Sequence, residues 1–245
     1  MNVSIIKTSY EEVALFRVSF LKENNFQFIL DKAYRYGWAD TYLFAIEEKK
    51  IGYGSVWGKD KREDRDAIFE FYIIPSYRQF SSLIFPKFQT VSNAPYVEAQ
   101  TNDLLLSTML FEFTRDISAE AILFEDYIET NLAVPGTIFT RKPDATDNPM
   151  DAGGYLLTLD GEVVASGGLM LNYNLPFADI YMEVKENHRQ KGFGSLIVQE
   201  LKKEAYRMER VPAARCNIDN KISKSTLLKA GFRVCGCRVV GRIRE

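Results

Sequence analysis

Between Arg189 and Gly194 the chain reads "RQKGFG", with cations at Arg189 and Lys191 and glycines at positions 192 and 194. The run before it, "FADIYMEV" (Phe177 to Val184), is strand-like. The run after it, Gly192 to Met208, has the apolar spacing of a helix. A helix N-terminus carries unpaired N–H groups and the positive end of the helix dipole. Glycine there lets backbone approach an anion closely. With Gln190, Phe193 and Ser195 completing the loop, the stretch suits a diphosphate. In the preceding strand Asp179, Tyr181 and Glu183 point one way and Ile180, Met182 and Val184 the other. That is the pattern of a cleft wall or of an ordinary solvated face.

The rest of the composition narrows the chemistry. The chain has a single histidine, so a nucleophile–histidine site would have to use His188, which reads as a solvated loop residue. Cys235 and Cys237 form C-G-C, without the two-residue gap or second pair of a zinc site, and no metal is expected. With Cys216 they read as buried strand residues in a reducing, cytoplasmic setting. Lys and Arg total 31 against 33 Asp and Glu, which argues against nucleic acid as a partner. No apolar run is long enough for a bilayer, and "MNVSIIKTSYEEV" lacks a targeting pattern. A soluble monomer or homodimer with no membrane partner is expected. The P-loop motif is absent, and the dinucleotide fingerprint fails because Ile197 stands where its third glycine belongs.

The elements that must hold these residues occur twice. In the first half, "SIIKT" is strand-like, and Tyr10 to Asn24 and Phe26 to Tyr36 have helical spacing. A hairpin follows over "TYLFAIEEKKIGYGSVWG", then the strand "AIFEFYIIP". A helix over Arg78 to Ser92 would be interrupted or kinked by Pro86. The strand "PYVEAQ" and a helix over "NDLLLSTMLFEF", with Asn102 as N-cap, close this half. The second half repeats the order. A hairpin turns on Asp160-Gly161, followed by "FADIYMEV", the helix from Gly192, "PAARCNI", a helix from Asn220 to Ala230 stopped by Gly231, and "FRVCGCRVVGRI". Ala119 to Thr140 is either a strand pair or part of a helix, and "RKPDATDNPMDAGG" is a polar loop. Lys202 and Lys203 read as a solvated helix face. The implied architecture is α/β (α+β): two units in tandem, 1–114 and 115–245, each with a mixed, mostly antiparallel sheet flanked by helices.

R-x-x-G-x-G straight after a strand, Arg189 to Gly194, resembles the pyrophosphate loop of the GNAT acyl-CoA N-acyltransferase superfamily. A second signature lies downstream in "NIDNKISKSTLLKAGF": Asn220, then a helix ending in Lys229-Ala230-Gly231-Phe232. The resemblance covers roughly residues 150 to 245. The first half resembles a degenerate copy, because its equivalent loop "SYRQFSSL" has no glycine.

The resemblance implies acetyl-CoA as acyl donor and direct attack of an amine on the thioester, with no covalent enzyme intermediate. It implies donor contacts from Met182 and Val184, from Arg189 through Ser195, and from Asn220 and Ser223. Glu183, partly buried, would be the general base, with Tyr181 and Asp179 as alternatives. Leu227 stands where many members carry a tyrosine that protonates the thiolate. Ser223, Thr226 and Cys216 are nearby groups, none a clear substitute. The expected function is N-acetylation of a small molecule or an amino-acid-like amine. The alternatives are a non-catalytic acyl-CoA-binding or interaction module, and transfer of another acyl group.

Overall fold

Two tight hairpins carry the same turn chemistry. Glu47-Glu48 joins β2 (Asp40–Ile46) to β3 (Lys49–Trp57), and Asp160-Gly161 joins β8 (Asp151–Leu159) to β9 (Glu162–Met170). All four turn residues have positive φ: 48° and 66° in the first, 50° and 82° in the second. Such two-residue loops match the right-handed twist of paired strands. The computed structural model describes residues 2–142 and 151–244, and these form two compact units. Unit 1 comprises Met1–Asn25, Asp31–Glu120 and Cys237–Glu245, and unit 2 comprises Phe26–Leu30 and Ala121–Gly236.

Unit 1 begins with β1 (Val3–Thr8), α1 (Tyr10–Glu23) and the short α2 (Asp31–Arg35). After the hairpin come β4 (Ala67–Ile73), a 3₁₀ segment at Pro75–Phe80, α3 (Ser81–Ser92), β5 (Tyr96–Gln100) and α4 (Leu104–Phe113). β1 to β4 pair antiparallel in sequence order, and β4 pairs parallel with β5 at Ala67↔Tyr96. The core is aromatic: Phe44, Phe71, Phe85 and Phe88 are all buried and mutually packed. Pro86 lies inside α3 without ending it. Burial of Ile84, Phe85 and Phe88 outweighs the lost hydrogen bond. The cap of α4 is Asp103, whose carboxylate accepts from Leu106 N at 3.1 Å, rather than the expected Asn102.

Unit 2 repeats the order with β7 (Thr137–Arg141), β8, β9, β10 (Phe177–Val184), α5 (Phe193–Arg207), β11 (Val211–Asn217) and α6 (Lys221–Lys229). β7 to β10 pair antiparallel, and β10 pairs parallel with β11. The remaining strands, β6 (Thr114–Asp126) and β12 (Phe232–Ile243), each span both units. The second half of β6 pairs with β11 at Ala121–Glu125, and the second half of β12 pairs with β5 at Arg238–Arg242. Each unit thus has a closing strand from the latter part of a long one.

The ambiguous stretch 119–140 holds the end of β6 and most of β7, joined by a loop, and contains no helix; the two strands pair with β11 and β8 rather than with each other. The helix expected over Phe26 to Tyr36 shrinks to Asp31–Arg35. Gln27, Phe28 and Ile29 are instead buried in extended or turn conformation, because Phe28 packs edge-on to Tyr173 of unit 2. Tertiary burial overrides the periodicity there. Part of the expected polar loop after Arg141 lies outside the described residues.

Candidate active site

The pairing of β10 with β11 is short. It runs over Phe177–Asp179 and Val211–Ala213, although β10 continues to Val184 and β11 to Asn217. The strands therefore part beyond Asp179, and a cleft of about 740 Å³ opens beside the end of β10. Met182, Glu183 and Val184 form one wall; Arg189, Gln190, Gly192, Phe193, Gly194 and Ser195 form a second; Asn220 and Ser223 stand on a third. Of the sequence-derived candidates, Lys191 and Tyr181 are outside this lining. Lys191 is exposed, with its ammonium on the Asn187 carbonyl at 3.1 Å. Tyr181 is 39 % exposed and lies over Gly168 of β9.

The two loop glycines do different work. Gly192 is the N-cap of α5 with φ +88°, and no side chain caps the helix, so its first N–H groups stay available. A Cβ on Gly192 would meet only Val134, at 3.7 Å. The glycine is required by its left-handed backbone, and the space beside it is open. Gly194 has no such backbone requirement. A Cβ there would come within 3.1 Å of Thr226 and 3.4 Å of Val184, so this glycine lets α5 pack closely on α6 and β10. Ser195 is buried and its hydroxyl is spent on the Thr226 carbonyl at 3.1 Å. Only its backbone can serve an anion. Arg189 is exposed, with Nε on the Val184 carbonyl at 3.3 Å.

Unit 1 holds a matching loop that has lost this turn. Arg78 Nε bonds the Ile73 carbonyl at 3.0 Å, five residues back, as Arg189 bonds Val184. From that anchor "YRQFSSLI" aligns with "HRQKGFGSLI", and the two residues missing from unit 1 are the counterparts of Lys191 and Gly192. The cap of α3 is accordingly Phe80, at φ −97°. Arg78 is also engaged by Glu23, so unit 1 keeps the scaffold of the loop without its left-handed glycine turn.

Several residues depart from expectation. Glu183 is exposed rather than partly buried, opposite Ser166 in the ladder. Asp179 is buried and faces Arg215 at 3.5 Å, which removes it as a base. Leu227 is buried in the core, while its neighbour Thr226 lines the cleft. Lys202 is not a solvated residue: it is 2 % exposed, with its ammonium on Asp126 at 2.7 Å and on the carbonyls of Ile128 and Ala230 at 2.7 and 3.2 Å. It ties α5 to the C-terminal end of α6. Gly231 does more than end that helix, because a side chain there would collide with the Ile128 carbonyl. His188 is half-buried against Phe193, with Nε2 at 3.2 Å from Glu162, and it too lines the cleft. Cys216 is buried and burial pushes its thiol up, so it is no ready nucleophile. Cys235 and Cys237 are half-buried rather than buried, and burial raises Cys235 to about 11.

Sequence reasoning missed Lys221, Ser225 and Lys229, which also line the cleft. Their positions on the exposed side of α6 carry no signal until that helix is known to face α5. Gln199 was missed as well. Its amide accepts from Thr130 and from Leu132 N and donates to the Leu132 carbonyl, at 2.6 to 3.1 Å. It pins the segment that reaches Val134 beside Gly192.

Residues 119–232 match the profile of the Acetyltransferase (GNAT) family. No curated protein sequence matches the chain. Among solved structures, a GNAT-family acetyltransferase from Colwellia psychrerythraea superimposes with TM-score 0.73 at 14 % identity, covering all of both chains. A tandem GNAT protein from the clavulanic acid biosynthesis pathway gives 0.64 at 10 % identity, covering 98 % of this chain and 97 % of that one. A GCN5-related N-acetyltransferase from Sphaerobacter thermophilus gives 0.61 at 12 % identity, covering 98 % and 95 %. These likenesses establish the fold.

Proposed function

The chain has the tandem GNAT fold, and its residues 119–232 carry that family's acetyltransferase domain; from this premise we propose that it transfers an acetyl group from acetyl-CoA to the amine of a small acceptor. The donor is assigned to the second half, residues 115–245, and not to the first, residues 1–114. The observation that carries this reading is the contrast at Gly192: a left-handed, uncapped helix start in unit 2 whose counterpart is deleted from unit 1.

The residues at hand fit such a donor. The uncapped N–H groups around Gly192 to Ser195, with Arg189 beside them, would receive the diphosphate. Lys221 and Lys229 on the facing helix supply further positive charge along the cleft. The edge of β10 from Met182 to Val184, beyond its pairing with β11, would hold the extended arm and present N–H to the thioester oxygen. Acetyl-CoA would contribute its acetyl group as a thioester. The acceptor nitrogen attacks the carbonyl carbon, the C–S bond breaks, and the sulfur leaves with the bonding pair. Glu183, at the cleft wall, takes the proton released by the amine, directly or through water. Tyr181 is the second candidate for that step. Leu227 is in the core, so α6 offers no aromatic acid to the sulfur. A thiolate is a tolerable leaving group, so the C–S bond can break without one.

The competing reading, a non-catalytic acyl-CoA-binding or interaction module, draws on Leu227 and on the degenerate first half. Release of free thiol from acetyl-CoA, followed with and without a panel of amines, separates the two. Amine-dependent release supports the enzyme, and donor binding without it supports the module. The setting proposed is the cytoplasm; among the described residues no helix is long and apolar enough to cross a membrane.

A further inference from the structure

The sheet of unit 2 has a second face, opposite the core that holds Ile180, Ala214 and Cys216. By strand alternation Asp179, Tyr181 and Glu183 of β10 and Ala213 and Arg215 of β11 lie on that face. Its lower part is closed by an apolar cluster that includes Phe28, Tyr173 and Ala213. Above this cluster, Gly168 lies opposite Tyr181 in the ladder, and the phenol fills the place of its missing side chain.

Arg215 stands at the border of the two zones. Its guanidinium lies 5.2 Å from the Phe28 ring and 5.4 Å from the Tyr173 ring. Nη2 donates to the Tyr173 hydroxyl at 2.5 Å and faces Asp179, itself buried, at 3.5 Å. Nε and Nη1 make no hydrogen bond among the described residues, and the side chain remains 30 % exposed. A strut would have spent its whole fork on the protein. Arg215 is fixed on one side and open on the other, which is the arrangement that receives a carboxylate. The register sets the reach. Ala213 is the last residue of β11 to pair with β10, opposite Asp179, so Arg215 lies about 7 Å short of Glu183 along the strands and more than about 5 Å across, because the strands part beyond that pair. An arginine side chain and a compact amino acid span that separation.

We propose that the acceptor is an amino acid whose carboxylate is received by Arg215 while its amine is presented near Glu183. This rests on the acetyl-transfer reading and adds the acceptor's class to it. Asp179 and Tyr173 position the guanidinium, and the aromatic pair beneath it excludes water.

The test compares kcat/KM for each common amino acid with that for its decarboxylated amine, with acetyl-CoA as donor. At least one amino acid is expected to exceed its amine by roughly tenfold to a hundredfold, the range of a charge-assisted pair. Arg215→Gln is expected to remove that advantage through KM, leaving the amine's value and the affinity for acetyl-CoA unchanged. Equal values within every pair, or an advantage that survives Arg215→Gln, overturns the proposal. Should the variant fail to fold, the wild-type comparison still decides. Wild type that binds acetyl-CoA but shows no preference refutes the carboxylate site alone; wild type that binds no acetyl-CoA refutes the acetyl-transfer reading and this one together.

Discussion

Replacing Gly192 by valine separates a ligand cradle from a mere turn. At φ +88° an L-residue is strained by about 1–2 kcal/mol, and more when β-branched. The added Cβ itself meets nothing closer than Val134 at 3.7 Å, so steric cost to the fold is small. The expected stability loss is therefore about 2 kcal/mol, or roughly 4–8 °C in Tm for a protein of this size. The ligand should lose far more. The side chain enters the open space beside the uncapped N–H groups, and two charge-assisted hydrogen bonds at about 1.5–3 kcal/mol each are forfeited. That is roughly a hundredfold or more in Kd. Calorimetric titration with acetyl-CoA, beside a thermal melt, reads both quantities. Gly194→Ala is the control: its Cβ would crowd Thr226 at 3.1 Å, so stability should fall by about 1–3 kcal/mol through overpacking. Gly192→Val that folds and binds acetyl-CoA as tightly as wild type would refute the cradle.

Glu183→Gln should lower the acceptor-dependent rate by roughly two orders of magnitude with little change in acetyl-CoA affinity; an unchanged rate moves the role to Tyr181. Lys202→Met leaves Asp126 and two carbonyls short of a donor, so urea denaturation should show a loss of about 3–5 kcal/mol, and a loss below 1 would mean that water replaces the ammonium. Asp103 is raised by burial from 3.8 to about 7. Its folded carboxyl stays protonated where the unfolded one is ionised, so its contribution to stability is greatest below pH 4 and declines as pH rises toward 7. The wild-type curve should fall across that window relative to Asp103→Asn, and parallel curves would contradict the assignment.

Much of the candidate cleft was legible because it is local. Arg189 to Ser195 is one contiguous run whose glycines, cations and flanking strand state their geometry, and Asn220 caps α6 through Ser223 N at 2.9 Å as its position before the helix suggests. What the sequence hid depends on contacts far along the chain. Lys202 looks like any exposed helix lysine until Asp126 and the end of α6 close around it. Phe28 sits in a helical pattern but is drawn out of it by Tyr173. The difference between Gly192 and Gly194 appears only when the missing side chains are built against their neighbours. Arg215, two residues after Ala213 in an apolar strand, gave no sign of an open guanidinium edge. Its meaning depends on Tyr173 and Asp179, which no local spacing connects to it.

The central claim is that one donor site exists per chain and lies in the second unit. Calorimetric titration of the wild-type protein with acetyl-CoA tests it most directly. The account predicts a single class of site with a stoichiometry of about one, since the only uncapped left-handed helix start among the two matching loops is at Gly192. Two equivalent sites per chain, or no binding at all, would contradict it.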